Sequence, residues 1–131
     1  MENKELFVGT VSELFHACAE DNSAIEVISL STADGFSVYS YSPNGTEFED
    51  DTMSAAASTL YSVSNAVAQQ ILAKEFKSTF IEANKGNVSF VALEYDSKDY
   101  VLAMSASESM NIASLRISIN RLAEVISQIT L

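Results

Sequence analysis

The sequence predicts an α+β domain in which helices cover both faces of a five-stranded antiparallel sheet, in the order α-β-β-α-β-β-β-α. Three observations lead there. Each end of the chain carries an apolar ladder at helical spacing. The interior holds five short runs rich in β-branched or aromatic residues, separated by turn residues. The links between consecutive runs include hairpin-length turns, which make neighbouring strands antiparallel. With 131 residues the chain has the length of one domain, residues 1–131, and buries about two thirds of its unfolded surface without needing staples.

The first helix is expected over Lys4 to Asp21, where Phe7, Val11, Leu14, Phe15 and Cys18 recur three or four apart. Asp21, Asn22 and Ser23 break it. Ala24 to Ser31 is short and β-branched, so it reads as a strand. Asp34-Gly35 then separates it from a second strand, FSVYSYS, and a DG pair between such runs signals a hairpin because glycine accepts positive φ. Pro43-Asn44-Gly45 ends that strand with turn chemistry.

Four carboxylates follow in EFEDD, residues 47–51. They suit the positive end of a helix dipole, and Asp51 is placed to cap it. The helix itself is the unusual part of the chain. Residues 52–73, TMSAAASTLYSVSNAVAQQILA, are twenty-two positions without a charge in a chain of net charge −11. Met53, Ala56, Leu60, Val63, Val67 and Ile71 form its expected core stripe, with Lys74 and Lys77 near its end. A helix with one wet face normally carries Glu, Lys or Arg there. This one carries small and uncharged polar residues, Ala55, Ser58, Ser62 and Ala66 among them. They allow a second helix to approach closely, so a partner or a second copy is expected to cover that face.

Thr79 to Asn84 is a further strand, Lys85-Gly86-Asn87 a turn, and Val88 to Tyr95 the clearest strand of all. Asp96 to Asp99 turns into the last strand, Tyr100 to Ala106. The closing helix runs from about Met110 to Ile129, with Ile112, Leu115, Ile119, Leu122, Ile126 and Ile129 in a ladder that packs along a seam. The first helix is its natural mate.

Composition narrows the chemistry. Apolar residues are 47% and charged ones 19%, which is globular. Eighteen acids against seven bases repel phosphate backbones and anionic lipid heads, so nucleic-acid and membrane-surface binding are not expected. A single cysteine, Cys18, forms no internal disulfide and points to a reducing, cytoplasmic setting. No signal peptide and no bilayer span is legible: residues 52–73 contain nine Ser, Thr, Asn or Gln.

Catalysis and cofactors find little support. One His and one Cys, His16 and Cys18, stand two apart on a helix and do not face each other, so no metal site and no nucleophile–base pair is expected. EFEDD lacks the alternation and glycine of a calcium loop. Four isolated glycines form no phosphate cradle. Arg116 and Arg121 on the last helix are read as solvated or ion-paired rather than as residues donated to a partner's active site.

The whole pattern resembles the roadblock (dynein light-chain) family, in its prokaryotic, GTPase-associated form. The resemblance rests on an opening helix, a strand leading to ADGF with a second strand behind it, and the acidic EFEDD before SAAASTLYSVSNAVAQQI. Three strands with a KGN turn and a closing IASLRISINRLAEVI complete it, over about residues 5–129. It implies a five-stranded antiparallel sheet with one long helix on one face and two on the other. It implies a homodimer formed through the middle helix and the third strand, with Ala55, Ser58, Ser62, Ala66, Gln69, Thr79 and Ile81 at the interface. It implies a non-enzymatic regulator or adaptor of a small Ras-like GTPase, in pathways of polarity or motility, with no cofactor. Glu47, Glu49 and Asp50 would face that partner. Some members accelerate GTP hydrolysis without an arginine finger. Two other readings remain open: a constitutive scaffold subunit, and a ligand-sensing domain with Tyr39, Tyr41 and Tyr61 around a pocket.

Overall fold

The structure, a computed structural model, describes residues 2–45 and 50–131, with the side chains of Glu2 and Asp50 outside the description. Helix α1 (Glu2–Asp21) turns Phe7, Val11, Phe15 and Ala19 inward at steps of four, and all four are buried. Leu14 and Cys18 pack at the edge of that core. The Asn22 side chain accepts from the Ala24 N–H at 3.0 Å and turns the chain into β1 (Ile25–Thr32).

Between β1 and β2 (Ser37–Tyr41) the predicted DG hairpin forms. Thr32 organises it: its carbonyl accepts from Gly35 N–H at 3.0 Å and its Oγ1 from Phe36 N–H at 2.9 Å. Gly35 has φ +104°, and a Cβ there would stand 3.2 Å from Ser58 Oγ. Glycine is therefore required both by backbone and by space.

Helix α2 (Asp50–Val67) runs on as a π-helical turn, Ala68–Leu72. Ala73, at φ 56°, ends it by donating to the Ala68 and Gln69 carbonyls. One expectation changes here. Asp51 lies inside the first turn rather than capping it, because the helix starts a residue earlier. Lys74 follows directly on the left-handed Ala73 that ends the helix, with Lys77 three residues beyond it.

Strands β3 (Ser78–Ala83), β4 (Gly86–Tyr95) and β5 (Lys98–Ser107) and helix α3 (Ile112–Ser127) complete the chain. The expected Lys85-Gly86-Asn87 turn is instead Asn84-Lys85, because Gly86 already pairs with Ala83 and with Ser107. A Cβ on Gly86 would sit 2.9 Å from the Ala106 carbonyl oxygen. That glycine marks close strand approach, not a turn. Between β4 and β5, Asp96 (φ 51°) and Ser97 (φ 63°) make a two-residue turn with both residues left-handed, as a type I′ turn requires. Asn111 caps α3, its side chain accepting from Ser114 N–H at 2.8 Å.

The five strands form one antiparallel sheet in the order β2-β1-β5-β4-β3. Alternation along β5 divides the interior. Tyr100, Leu102 and Met104 face the larger core with α1 and α3, where Leu115, Ile119, Leu122 and Ile126 are buried. Val101 and Ala103 face a smaller core under α2 with Ala57 and Phe90. The architecture is thus two helices on one face and α2 on the other. Of the predicted α3 ladder, Ile112 is exposed and Ala123 takes part in the core instead.

Candidate interaction surface

The centre of the sheet beneath α2 is lined by small residues. Ser29, Ser31 and Ala103 are all buried, and Ser31 Oγ donates to Ser54 Oγ at 3.3 Å across to the helix. A small-residue sheet accepts a small-residue helix face. The inward side of α2 is accordingly Met53, Ser54 and Ala57, with Leu60, Tyr61 and Ser64 half-buried. Ser64 and Thr79 share a hydrogen bond of 2.7 Å, which ties the helix to β3.

This overturns the expected core stripe. Met53 is buried and Leu60 half-buried, but Ala56 is exposed, as are Val63 (57%), Val67 (49%) and Ile71 (75%). The reason is visible in the partner sheet. Ser29, Ser31 and Ala103 let the helix come close, and at that range Ser54 and Ala57 fit against the sheet while Val63, Val67 and Ile71 turn outward.

Two sides of α2 are therefore open to solvent. Ala55, Ser62 and Ala66 form an outward stripe, with Gln69 exposed beyond them in the π-helical turn. Ser58 is half-buried beside Gly35 and the first hairpin. Val63, Val67, Ile71 and Leu72 flank that stripe. The π turn contributes by placing both Ile71 and Leu72 in solvent at the helix end.

Strand β3 is a sheet edge, and all its residues except Thr79 are exposed. It has no proline or lysine within it, and Glu82, which faces away from α2, is its one charged residue. Its register assigns the faces. Thr79 pairs with Phe90 and Ile81 with Val88, and both partners belong to the core under α2. Thr79 and Ile81 thus share the α2 face of the sheet, while Phe80 points to the other. Of twelve exposed large apolar residues among those described, six fall between residues 63 and 81. Exposed apolar surface is concentrated here rather than scattered.

The remaining sites of interest lie elsewhere. Glu47 and Glu49 fall outside the described residues, as does the Asp50 side chain. His16 is exposed, stacks on Tyr41 at 3.9 Å and hydrogen-bonds the Ser12 carbonyl at 2.7 Å through Nδ1. Burial, then Asp21, pushes the Cys18 thiol above its usual pKa. Arg116 and Arg121 are exposed on α3, across the sheet from α2. The three tyrosines expected around a pocket do not converge. Tyr39 packs on Phe15 and accepts from Ser12 Oγ, Tyr41 meets His16, and Tyr61 stands edge-on to Phe76 on the opposite face.

No protein-family profile matches the sequence, and no curated protein matches it. Solved structures do match in fold. MglB of Myxococcus xanthus superposes with a TM-score of 0.79 at 15% identity, over 92% of this chain and 87% of that one. The gliding protein MglB of Thermus thermophilus gives 0.79 at 13% identity, over 93% and 89%. A Roadblock/LC7 domain from Streptomyces avermitilis gives 0.66 at 18% identity, over 79% and 82%. The fold is that of a roadblock/LC7 domain. Among the described residues, α2 is the one helix on its face of the sheet, with the β3 edge beside it, so the two present one continuous flank.

Proposed function

We propose that the chain is a dimeric, non-enzymatic regulator or adaptor of a small Ras-like GTPase, working through protein–protein contact in polarity or motility. The observation that supports it is the partly apolar flank made by α2 and the β3 edge, whose α2-facing members Ala55, Ser62, Val63, Ala66, Val67, Thr79 and Ile81 carry no charge. A second copy fits it by symmetry: α2 against α2, and β3 beside β3 through its free edge. Ala55, Ser62 and Ala66 set the close approach; Val63, Val67 and Ile81 supply apolar area. Ser58, Gln69 and Thr79 border the same contact. A solved MglB has a tetrameric arrangement, which is compatible with a fold that self-associates. The acidic segment Glu47, Glu49 and Asp50 would meet a basic patch of the GTPase. Neither arginine lies on the α2 flank, so any acceleration of hydrolysis would come from reshaping the GTPase rather than from a donated arginine.

The test is a pull-down from source-cell lysate, run in parallel with GDP and a non-hydrolysable GTP analogue. A small GTPase enriched only with the analogue is the expected result. Identical partners in both lanes, with no GTPase among them, would replace this reading with a constitutive scaffold.

A further inference from the structure

A second feature lies across the sheet, away from the α2 flank. A cleft of about 670 Å³ opens where the first turn of α1, the tips of the β1–β2 and β4–β5 hairpins and the chain after α3 come together. Its size is that of a small-molecule site. Its floor is apolar and fixed. Phe7 and Tyr100 are 5% and 8% exposed and belong to the larger core. Tyr95 stacks on Phe7 with ring centroids 4.3 Å apart. Phe36, 69% exposed, stands at the rim.

The charge of the cleft runs against that of the chain. Only seven residues of 131 are basic, yet Lys4 and Lys98 both line this one opening. Among the described lining residues, Asp96 is the one acidic side chain. The N-terminal turn of α1 adds its partial positive charge at the same mouth. An apolar floor under a cationic rim selects a ligand with an apolar body and an anionic head.

We propose that this cleft binds a soluble single-chain amphiphile with one anionic head, such as a medium-chain carboxylate. The tail lies along the exposed edges of Val8, Val38 and Tyr95 above the buried Phe7 and Tyr100, and the head meets the Lys4 and Lys98 ammonium groups. A polyanionic peptide is disfavoured, because each added charge meets the field of a −11 chain while only two lysines answer it. An anionic membrane is disfavoured for the same reason, since among the described lining residues only Lys4 and Lys98 are basic. The cleft and the α2 flank are on opposite faces, so this proposal stands or falls separately from the GTPase reading.

The experiment uses dodecanoate below its micelle concentration and, as an uncharged control, dodecanol. Both are titrated into the intact protein by calorimetry and by amide chemical-shift mapping. Dodecanoate should shift amides in residues 32–38 and 95–100 and bind at least about tenfold more tightly than dodecanol. The Lys4→Gln/Lys98→Gln double variant changes only exposed side chains, so its fold is preserved. It should lose that preference, with dodecanoate weakened about tenfold and dodecanol unchanged. Equal affinity for the two ligands, shifts centred elsewhere, or association only with phosphatidylglycerol vesicles would each overturn the proposal. So would a double variant that binds dodecanoate as tightly as the parent.

Discussion

Val67→Glu is the sharpest perturbation of the proposed dimer. Val67 is 49% exposed and makes part of the flank beside Ala66. Burying a whole valine side chain stabilises by about 1.5–3 kcal/mol, so covering its exposed half contributes about 1 kcal/mol per copy and about 2 kcal/mol per two-fold dimer. Losing that term alone weakens association about 30-fold. Glutamate buries a carboxylate among proposed interface members that carry no cation, at a cost of several kcal/mol for each copy buried. The combined effect exceeds about 10⁴ in the dissociation constant. Size-exclusion chromatography with light scattering should give twice 14.2 kDa for the parent and 14.2 kDa for the variant. Val67→Ala should fall between, with a concentration-dependent mass. Because Val67 is half in solvent in the single chain, circular dichroism of the variant should stay that of a folded protein. A parent that runs at 14.2 kDa at all concentrations would refute the argument. So would a Val67→Glu protein of unchanged dimeric mass.

Three further outcomes follow from the backbone and the core. Ser97→Gly should raise the thermal midpoint by a few degrees, since a left-handed non-glycine residue costs about 1–2 kcal/mol and Ser97 stands at φ 63°. Gly86→Ala should lower the midpoint by several degrees, at a cost of about 1–3 kcal/mol, because the new methyl group meets the Ala106 carbonyl oxygen at 2.9 Å and β5 backbone must move. Cys18 should be alkylated by iodoacetamide more slowly at pH 8 than a free thiol and should reach the free rate on denaturation. Burial and Asp21 raise its pKa and so lower its thiolate fraction. A native rate equal to the free rate would contradict that placement.

The order of elements was legible because its signals are local. Apolar steps of four put Phe7, Val11 and Phe15 into one core, and a DG pair made the first hairpin. Leu115, Ile119, Leu122 and Ile126 were readable as a seam for the same reason. The orientation of α2 was not legible. Its sequence has two apolar sides, one of alanines and serines and one of valines, and periodicity alone favours the larger residues as core. Which side turns inward depends on Ser29, Ser31 and Ala103, which lie far along the chain and reach the helix only after the sheet has formed. Gly86 misled in a related way. A glycine next to Lys and Asn reads as a turn, but its role is set by a carbonyl twenty residues further on. Tyr39, Tyr41 and Tyr61 offered no local signal of grouping and do not converge, while a different cleft gathers Tyr95 and Tyr100 with Phe7 from the opposite end of the chain.

Two properties of α2 that look contradictory have one cause. A helix lying on a small-residue sheet gains little from its own core: the buried apolar residues of that contact are Met53 and Ala57 on the helix and Phe90, Val101 and Ala103 on the sheet. The larger core on the other face holds Phe15, Leu30, Leu102 and Ile119 with many more. Hydrophobic stabilisation scales with area removed from water, so α2 is the less firmly held layer of the domain when it is alone. The same helix leaves Val63, Val67 and Ile71 in water beside an exposed strand edge. A partner on that flank would supply the burial the internal face lacks. Association and the ordering of α2 are then one equilibrium. Hydrogen exchange of the α2 amides should slow as protein concentration rises, while that of α3 amides stays constant. Concentration-independent exchange in α2 would separate the two and leave the exposed valines without a role in holding the helix.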